Sequence, residues 1–143
     1  MPITNKKWMK VIVIMPCVVA LSGVAVTPAK PARAKTTLSR SLPRLDGANL
    51  KVTVVEVTYG PGESSPPHSH PCPIIGYVLE GALRTKVKGE TEAVYNVGES
   101  FYEAPNGIHA VSANASGSEP ARFLAFFVCD HDAPLSVAPP VPY

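Results

Sequence analysis

His68-Ser69-His70 sets two imidazoles two residues apart in a segment stiffened by Pro66-Pro67 before it and Pro71 after it. In an extended chain successive side chains alternate faces, so residues i and i+2 project to one side. Both rings can then reach a single point in space, which is what a metal ion requires of two ligands. His109, in a later strand-and-turn segment, offers a third ring. Three neutral imidazoles form an open site of the kind that catalytic metals use, with positions left for other ligands. Taken alone, His-x-His also fits two exposed loop histidines.

Other side chains nearby have chemistry to offer. Cys72 lies two residues past His70 and has the parity to approach the same ion as a soft thiolate; its alternative is a turn position held between Pro71 and Pro73. His131, in Cys129-Asp130-His131-Asp132, follows the last apolar strand and reads as a surface residue. Tyr77 and Tyr102 read as core or lining residues whose phenols could orient a substrate. There is no Gly-rich phosphate loop, no Gly-x-Ser-x-Gly elbow and no Cys-x-x-Cys pair.

The elements that position these residues are predicted to be short strands. Lys51–Tyr59 is strongly β-prone, with a change of parity at Val54-Val55 that predicts a bulge. Gly60 to Pro73 contains too much proline and glycine for a helix. Ile74–Leu79 reads as a buried strand ending at the turn Glu80-Gly81. Leu83, Thr85 and Val87 face one way while Arg84, Lys86 and Lys88 face water. Glu92–Tyr95, Ser100–Glu103 and His109–Ser112 are further strands, and the apolar Ala121–Val128 is a central one. No stretch after the N-terminal segment has a helical period, so the fold class is all-β, an antiparallel sandwich or barrel.

The 143 residues hold one domain at most, and the first part of the chain is not expected to belong to it. Lys6, Lys7 and Lys10 precede an apolar run from Val11 to Val26, and small residues follow up to Ala34. That pattern predicts a secretory signal peptide over residues 1–34. A retained membrane anchor is the rival, but the run is short for a bilayer and Pro16 interrupts it. The chain carries 13 basic and 11 acidic residues; cleavage removes five of the basic ones and none of the acidic ones, leaving eight against eleven. A mature net charge near −3 argues against nucleic acid or an anionic membrane as partner. The expected location is periplasmic or secreted, with no stable membrane anchoring after cleavage. Cys72 and Cys129 would then meet oxidising conditions, and either form a disulfide or remain two buried thiols. Residues 35–49 read as an N-terminal arm, 50–132 as the folded domain and 133–143 as a loose, proline-rich tail.

Gly62, His68-x-His70 and Tyr77-Val78-Leu79-Glu80-Gly81 together resemble the first motif of the cupin superfamily. Gly98, Pro105, His109 and Asn114 resemble its second motif. The resemblance is to small single-domain cupins and implies a double-stranded β-helix, or jelly roll, with a metal inside the barrel. It implies His68, His70 and His109 as ligands. The chain departs from the pattern where the family usually carries a glutamate, seven residues before the closing glycine: that position is Ile74. The proline of the second motif (Pro105), Gly107 and Asn114 are each displaced from the family spacing. Three readings follow: a three-histidine site with open positions, a site in which Glu103 replaces the lost carboxylate, or a decayed site. Glu103 has its own alternative as an outward-facing, solvated side chain.

The function these residues point to is an exported cupin binding a divalent metal ion (Fe, Mn, Ni or Zn), with a small molecule as ligand. It would be a small-molecule dioxygenase or related metalloenzyme, with Tyr77, Leu79, Phe101 and Phe126 as candidate barrel walls. The alternative is a non-catalytic periplasmic binding or sensing module. A homodimer is the assembly that the resemblance suggests.

Overall fold

The computed structural model describes residues 33–139. The predicted signal peptide lies outside the described residues except for its last two positions. Among the described residues no helix is long and apolar enough to cross a membrane.

The chain forms β1 (Lys51–Tyr59), β2 (Ser64–Ser65), β3 (His68–Ser69), β4 (Ile74–Glu80), β5 (Ala82–Val87), β6 (Ala93–Asn96), β7 (Ser100–Glu103), β8 (Ile108–Asn114) and β9 (Ala121–Cys129). One sheet runs β1-β9-β4-β7; the other runs β2-β8-β5-β6, with β3 also paired to β8. All these pairings are antiparallel. Two facing sheets with strands that cross between them make a double-stranded β-helix. A single 3-10 turn at Gly47–Asn49 precedes β1.

Alternation sets what lies between the sheets. Ile74 and Val78 of β4, Leu83 of β5, Phe101 of β7, and Phe123 and Phe127 of β9 are buried together. Gly76 faces inward among them, and a β-carbon there would overlap the Phe101 ring. Only glycine leaves room for the far edge of that ring against the strand. Gly81 has φ +66° and passes against the Pro120 carbonyl, so the β4–β5 turn likewise requires a residue without a side chain.

Three expectations are corrected here. Strand β1 pairs with β9 residue for residue from Lys51 to Tyr59, so there is no bulge at Val54-Val55. Regular alternation instead sends Val52 and Val54 outward, both at least half exposed. The irregularities fall in β4, between Val78 and Glu80, and opposite Lys86-Val87 of β5. The tail is not loose over its described part: Ser69 and Val137 exchange both backbone hydrogen bonds, each 2.9 Å. Tyr77, Leu79 and Phe126 do not line the interior, because the inward parity of β4 and β9 belongs to Ile74, Gly76, Val78, Phe123, Ala125 and Phe127. Of the candidate walls, Phe101 faces in.

Candidate metal centre

Strand pairing brings the histidines together. His68 of β3 stands directly opposite His109 of β8 in the antiparallel register. His70 follows two residues on, as the alternation of an extended segment requires. One nitrogen from each of the three rings lies within 4.8 Å of the others. His109 is 3% exposed and His70 9%.

Backbone carbonyls fix the tautomers of the first two rings. His68 donates from Nδ1 to the Pro66 carbonyl (2.8 Å), and His70 donates from Nδ1 to the Leu135 carbonyl (2.6 Å). Carbonyls only accept, so each neutral ring keeps its proton on Nδ1 and presents a lone pair at Nε2. Those two Nε2 atoms are 3.1 Å apart. Two nitrogens each about 2.0–2.1 Å from one ion are separated by about 3.0–3.4 Å. The pair is already spaced as neighbours in one coordination sphere.

The third ring is held from the other side. Thr85 Oγ1 lies 2.5 Å from His109 Nε2, while Nδ1 is buried with no hydrogen-bond partner among the described residues. That orphaned nitrogen faces Glu103, whose Oε2 is 3.2 Å away and also 3.7 Å from His70 Nε2. Glu103 is 5% exposed, which excludes the outward-facing alternative. With Thr85 accepting from His109 Nε2, the His109 Nδ1, the two Nε2 atoms and the ionised Glu103 Oε2 are four acceptors around one point, an arrangement that costs free energy unless a cation is present.

Electrostatics point the same way. Burial, and then the neighbouring His68 and His70, push the His109 pKa down to about 4. Burial also lowers that of His70. Those two rings, His70 and His109, are therefore neutral near pH 7, the state that binds metals. Burial, and then the charge of Glu90, raise the Glu103 carboxyl to about 7. A buried carboxylate without a counter-charge resists ionising, and a divalent ion supplies that charge.

Glu103 occupies an informative place. In the β4–β7 register it is the direct cross-strand partner of Ile74. Ile74, the position at which the resemblance would place a glutamate, and Glu103 therefore stand side by side on the same inner face.

Cys72 is not a candidate ligand: it is bonded to Cys129, with Cα atoms 5.2 Å apart. His131 pairs with Asp130 at the surface, apart from the three-histidine group. Tyr102 lies under the Arg40 guanidinium, 4.9 Å from its ring centre, on the outer side. Asn114 is structural: its amide donates to the Gly60 and Glu119 carbonyls and accepts from the Ser116 N–H.

A cavity of about 90 Å³ opens beside the histidines, lined also by Val57, Tyr59, Ser65, Ser112 and the inner-face phenylalanines. Sequence reasoning missed Tyr59, Ser65 and Ser112 as lining residues, and also the Leu135 carbonyl. Tyr59 was accessible in principle, since it shares the inward parity of Val55 and Val57. Ser112 was hidden by the β8 irregularity: Val87 pairs with His109 and Lys86 with Val111, so Ala110 is extra. That extra residue lets His109 and Ser112, three apart in sequence, share one face.

Comparison with known proteins agrees with this architecture. A cupin domain is matched over residues 55–127. The Bacillus subtilis oxalate decarboxylase structure is similar at 27% identity and a TM-score of 0.52, over 61% of this chain and 23% of that one. An oxalate oxidase is similar at 27% identity and a TM-score of 0.50, over 64% of this chain and 52% of that one. A double-stranded β-helix protein from Klebsiella pneumoniae shares the fold at 19% identity and a TM-score of 0.51, over 66% of this chain and 89% of that one. No curated protein sequence gives a significant match. The chain thus spans about half or less of the two oxalate enzymes to which it is similar. With a matched domain covering half its length and two crossed sheets enclosing the histidines, the chain belongs to the cupin superfamily.

Proposed function

We propose that the protein is an exported metalloenzyme that acts on a small molecule, with one divalent ion held by His68, His70, His109 and Glu103. The observation that carries this reading is the convergence of three imidazole nitrogens and the buried Glu103 carboxyl on one point. The names of the two similar enzymes, oxalate decarboxylase and oxalate oxidase, support catalysis over passive binding. The Cys72–Cys129 disulfide and the N-terminal signal-like segment support export.

The chain's own residues have definable tasks. Pro66 and Leu135 carbonyls hold the His68 and His70 rings in the tautomer that directs Nε2 inward. Thr85 braces His109. Phe101, Phe123 and Phe127 exclude water from the cavity, which strengthens every electrostatic contact within it. When bound, the ion supplies Lewis acidity or, if it is iron or manganese, redox chemistry including the use of dioxygen. Fe(II), Mn(II), Ni(II) and Zn(II) all suit imidazole with one carboxylate.

Elemental analysis of the purified protein, followed by dioxygen-uptake assays on the loaded form, tests the reading. One equivalent of metal is expected in the wild type and a large loss in His70→Ala. Unchanged stoichiometry and affinity in that variant would overturn the ligand assignment.

A further inference from the structure

Three hydroxyls form a chain in the same cavity. Tyr59 Oη lies 2.5 Å from Ser65 Oγ and 3.0 Å from Ser112 Oγ. All three residues line the cavity. Three hydroxyls carry three protons, and two contacts use two of them. The third proton has no acceptor among the described residues, so the triad has one O–H to offer a ligand.

The position of this donor sets a length. Ser112 pairs with Thr85 and His109 with Val87, two residue steps apart along β5. The backbone positions are about 7 Å apart along the strand, and Thr85, opposite Ser112, also touches the His109 ring (Oγ1 to Nε2 2.5 Å), so only a short ligand spans ring and triad. The cavity's volume of about 90 Å³ sets a size. It is smaller than the roughly 150 Å³ cavity that accommodates benzene and well below the roughly 300 Å³ lower bound for drug-sized ligands.

Charge sets the class. A divalent ion, one carboxylate and three neutral imidazoles leave a net charge of +1, which a single anionic group balances. No lysine or arginine lines the cavity. A second anionic group would therefore be buried without a partner, at high cost. Between the metal end and the triad the walls are apolar, with Ile74, Phe123 and Ala125 among them.

We infer that the site takes a short monocarboxylate of three or four carbons whose far end carries an uncharged oxygen, with the carboxylate at the metal and the oxygen at the Tyr59–Ser65–Ser112 triad. This rests on the metal reading above. It also separates this cavity from one built for a dicarboxylate.

Three ligands of matched size test it: 3-hydroxypropionate, propionate and malonate. The full chain is loaded with Mn(II), its metal content measured, and each ligand titrated by calorimetry at pH 8. The expected order is 3-hydroxypropionate tightest, propionate about tenfold weaker for want of one hydrogen bond, and malonate at least tenfold weaker. The triple variant Tyr59→Phe/Ser65→Ala/Ser112→Ala, which removes all three protons, should bring 3-hydroxypropionate down toward propionate while leaving metal content unchanged. Ser112→Ala alone leaves two hydroxyls and one contact, so it should keep a preference for 3-hydroxypropionate and guards against a folding defect of the triple variant. Malonate binding as tightly as 3-hydroxypropionate, or a preference for the hydroxyl that survives the triple variant, would overturn the inference and leave the metal centre standing. A protein that takes up no Mn(II) or other divalent ion would overturn the metal reading, and this inference with it.

Discussion

Replacing Glu103 with glutamine should make the metal-free protein more stable, and the gain should depend on pH. Glutamine keeps the shape of the side chain and removes its ability to ionise. The wild-type carboxyl, raised by burial from 4.5 to about 7, is neutral in both folded and unfolded states below pH 4.5. Between pH 4.5 and 7 the unfolded chain releases the proton while the folded protein keeps it, so wild-type stability falls as pH rises. Above 7 the loss is complete. At about 1.4 kcal/mol per tenfold difference in proton affinity, it amounts to about 3 kcal/mol. For a domain of this size that corresponds to about 10–20 °C in unfolding midpoint.

The assay is thermal unfolding of both proteins in chelator at pH 4.5 and pH 8, repeated with excess Mn(II). Without metal, Glu103→Gln should match the wild type at pH 4.5 and exceed it at pH 8. With metal the order should reverse, because the ion stabilises the folded state by its affinity and the variant has lost one donor. A variant less stable than the wild type at pH 8 without metal, or one that gains as much from Mn(II), would refute the argument. In the first case the carboxylate is not an uncompensated burden; in the second it is not a ligand.

Two further changes probe the frame around the centre. Opening the Cys72–Cys129 bridge as a double serine variant releases a loop with a sequence separation of 57, for an expected loss of about 4 kcal/mol, read from urea unfolding. Val137→Pro removes the N–H that Ser69 accepts and so loosens the tail segment that carries the Leu135 carbonyl. Metal dissociation constants should rise about tenfold or more, as for other groups that orient a ligating histidine, and equal affinities would show that the tail does not position His70.

Much of the fold was readable because its signals are local. The Leu83-Arg84-Thr85-Lys86-Val87 alternation and the apolar Ala121–Val128 run each map onto one strand, and glycine marks the turns between strands. His68 and His70 were readable for the same reason: a two-residue spacing in an extended segment needs no knowledge of the rest of the chain. Glu103 was only half readable. Phe101 and Glu103 share a parity, so an inward Phe101 carries Glu103 inward, but nothing local says which parity faces in. Ser112 and the Leu135 carbonyl were out of reach, since one depends on an extra residue in β8 and the other on a contact across 65 residues. The bulge expected from the change of parity at Val54-Val55 does not form, because regular pairing with β9 leaves Val54 outward. An edge strand tolerates Val52 and Val54 in contact with solvent.

The pairing of Ile74 with Glu103 on one rung of the β4–β7 ladder has a corollary for how such centres are compared. A donor can migrate sideways between neighbouring strands while its carboxyl stays close to the same point in the lumen, because facing positions on one pleat are about 5 Å apart. Homologues that look stripped of a ligand by linear alignment can therefore retain a complete set. An inventory of such centres is better taken rung by rung around the barrel wall than along the string of letters.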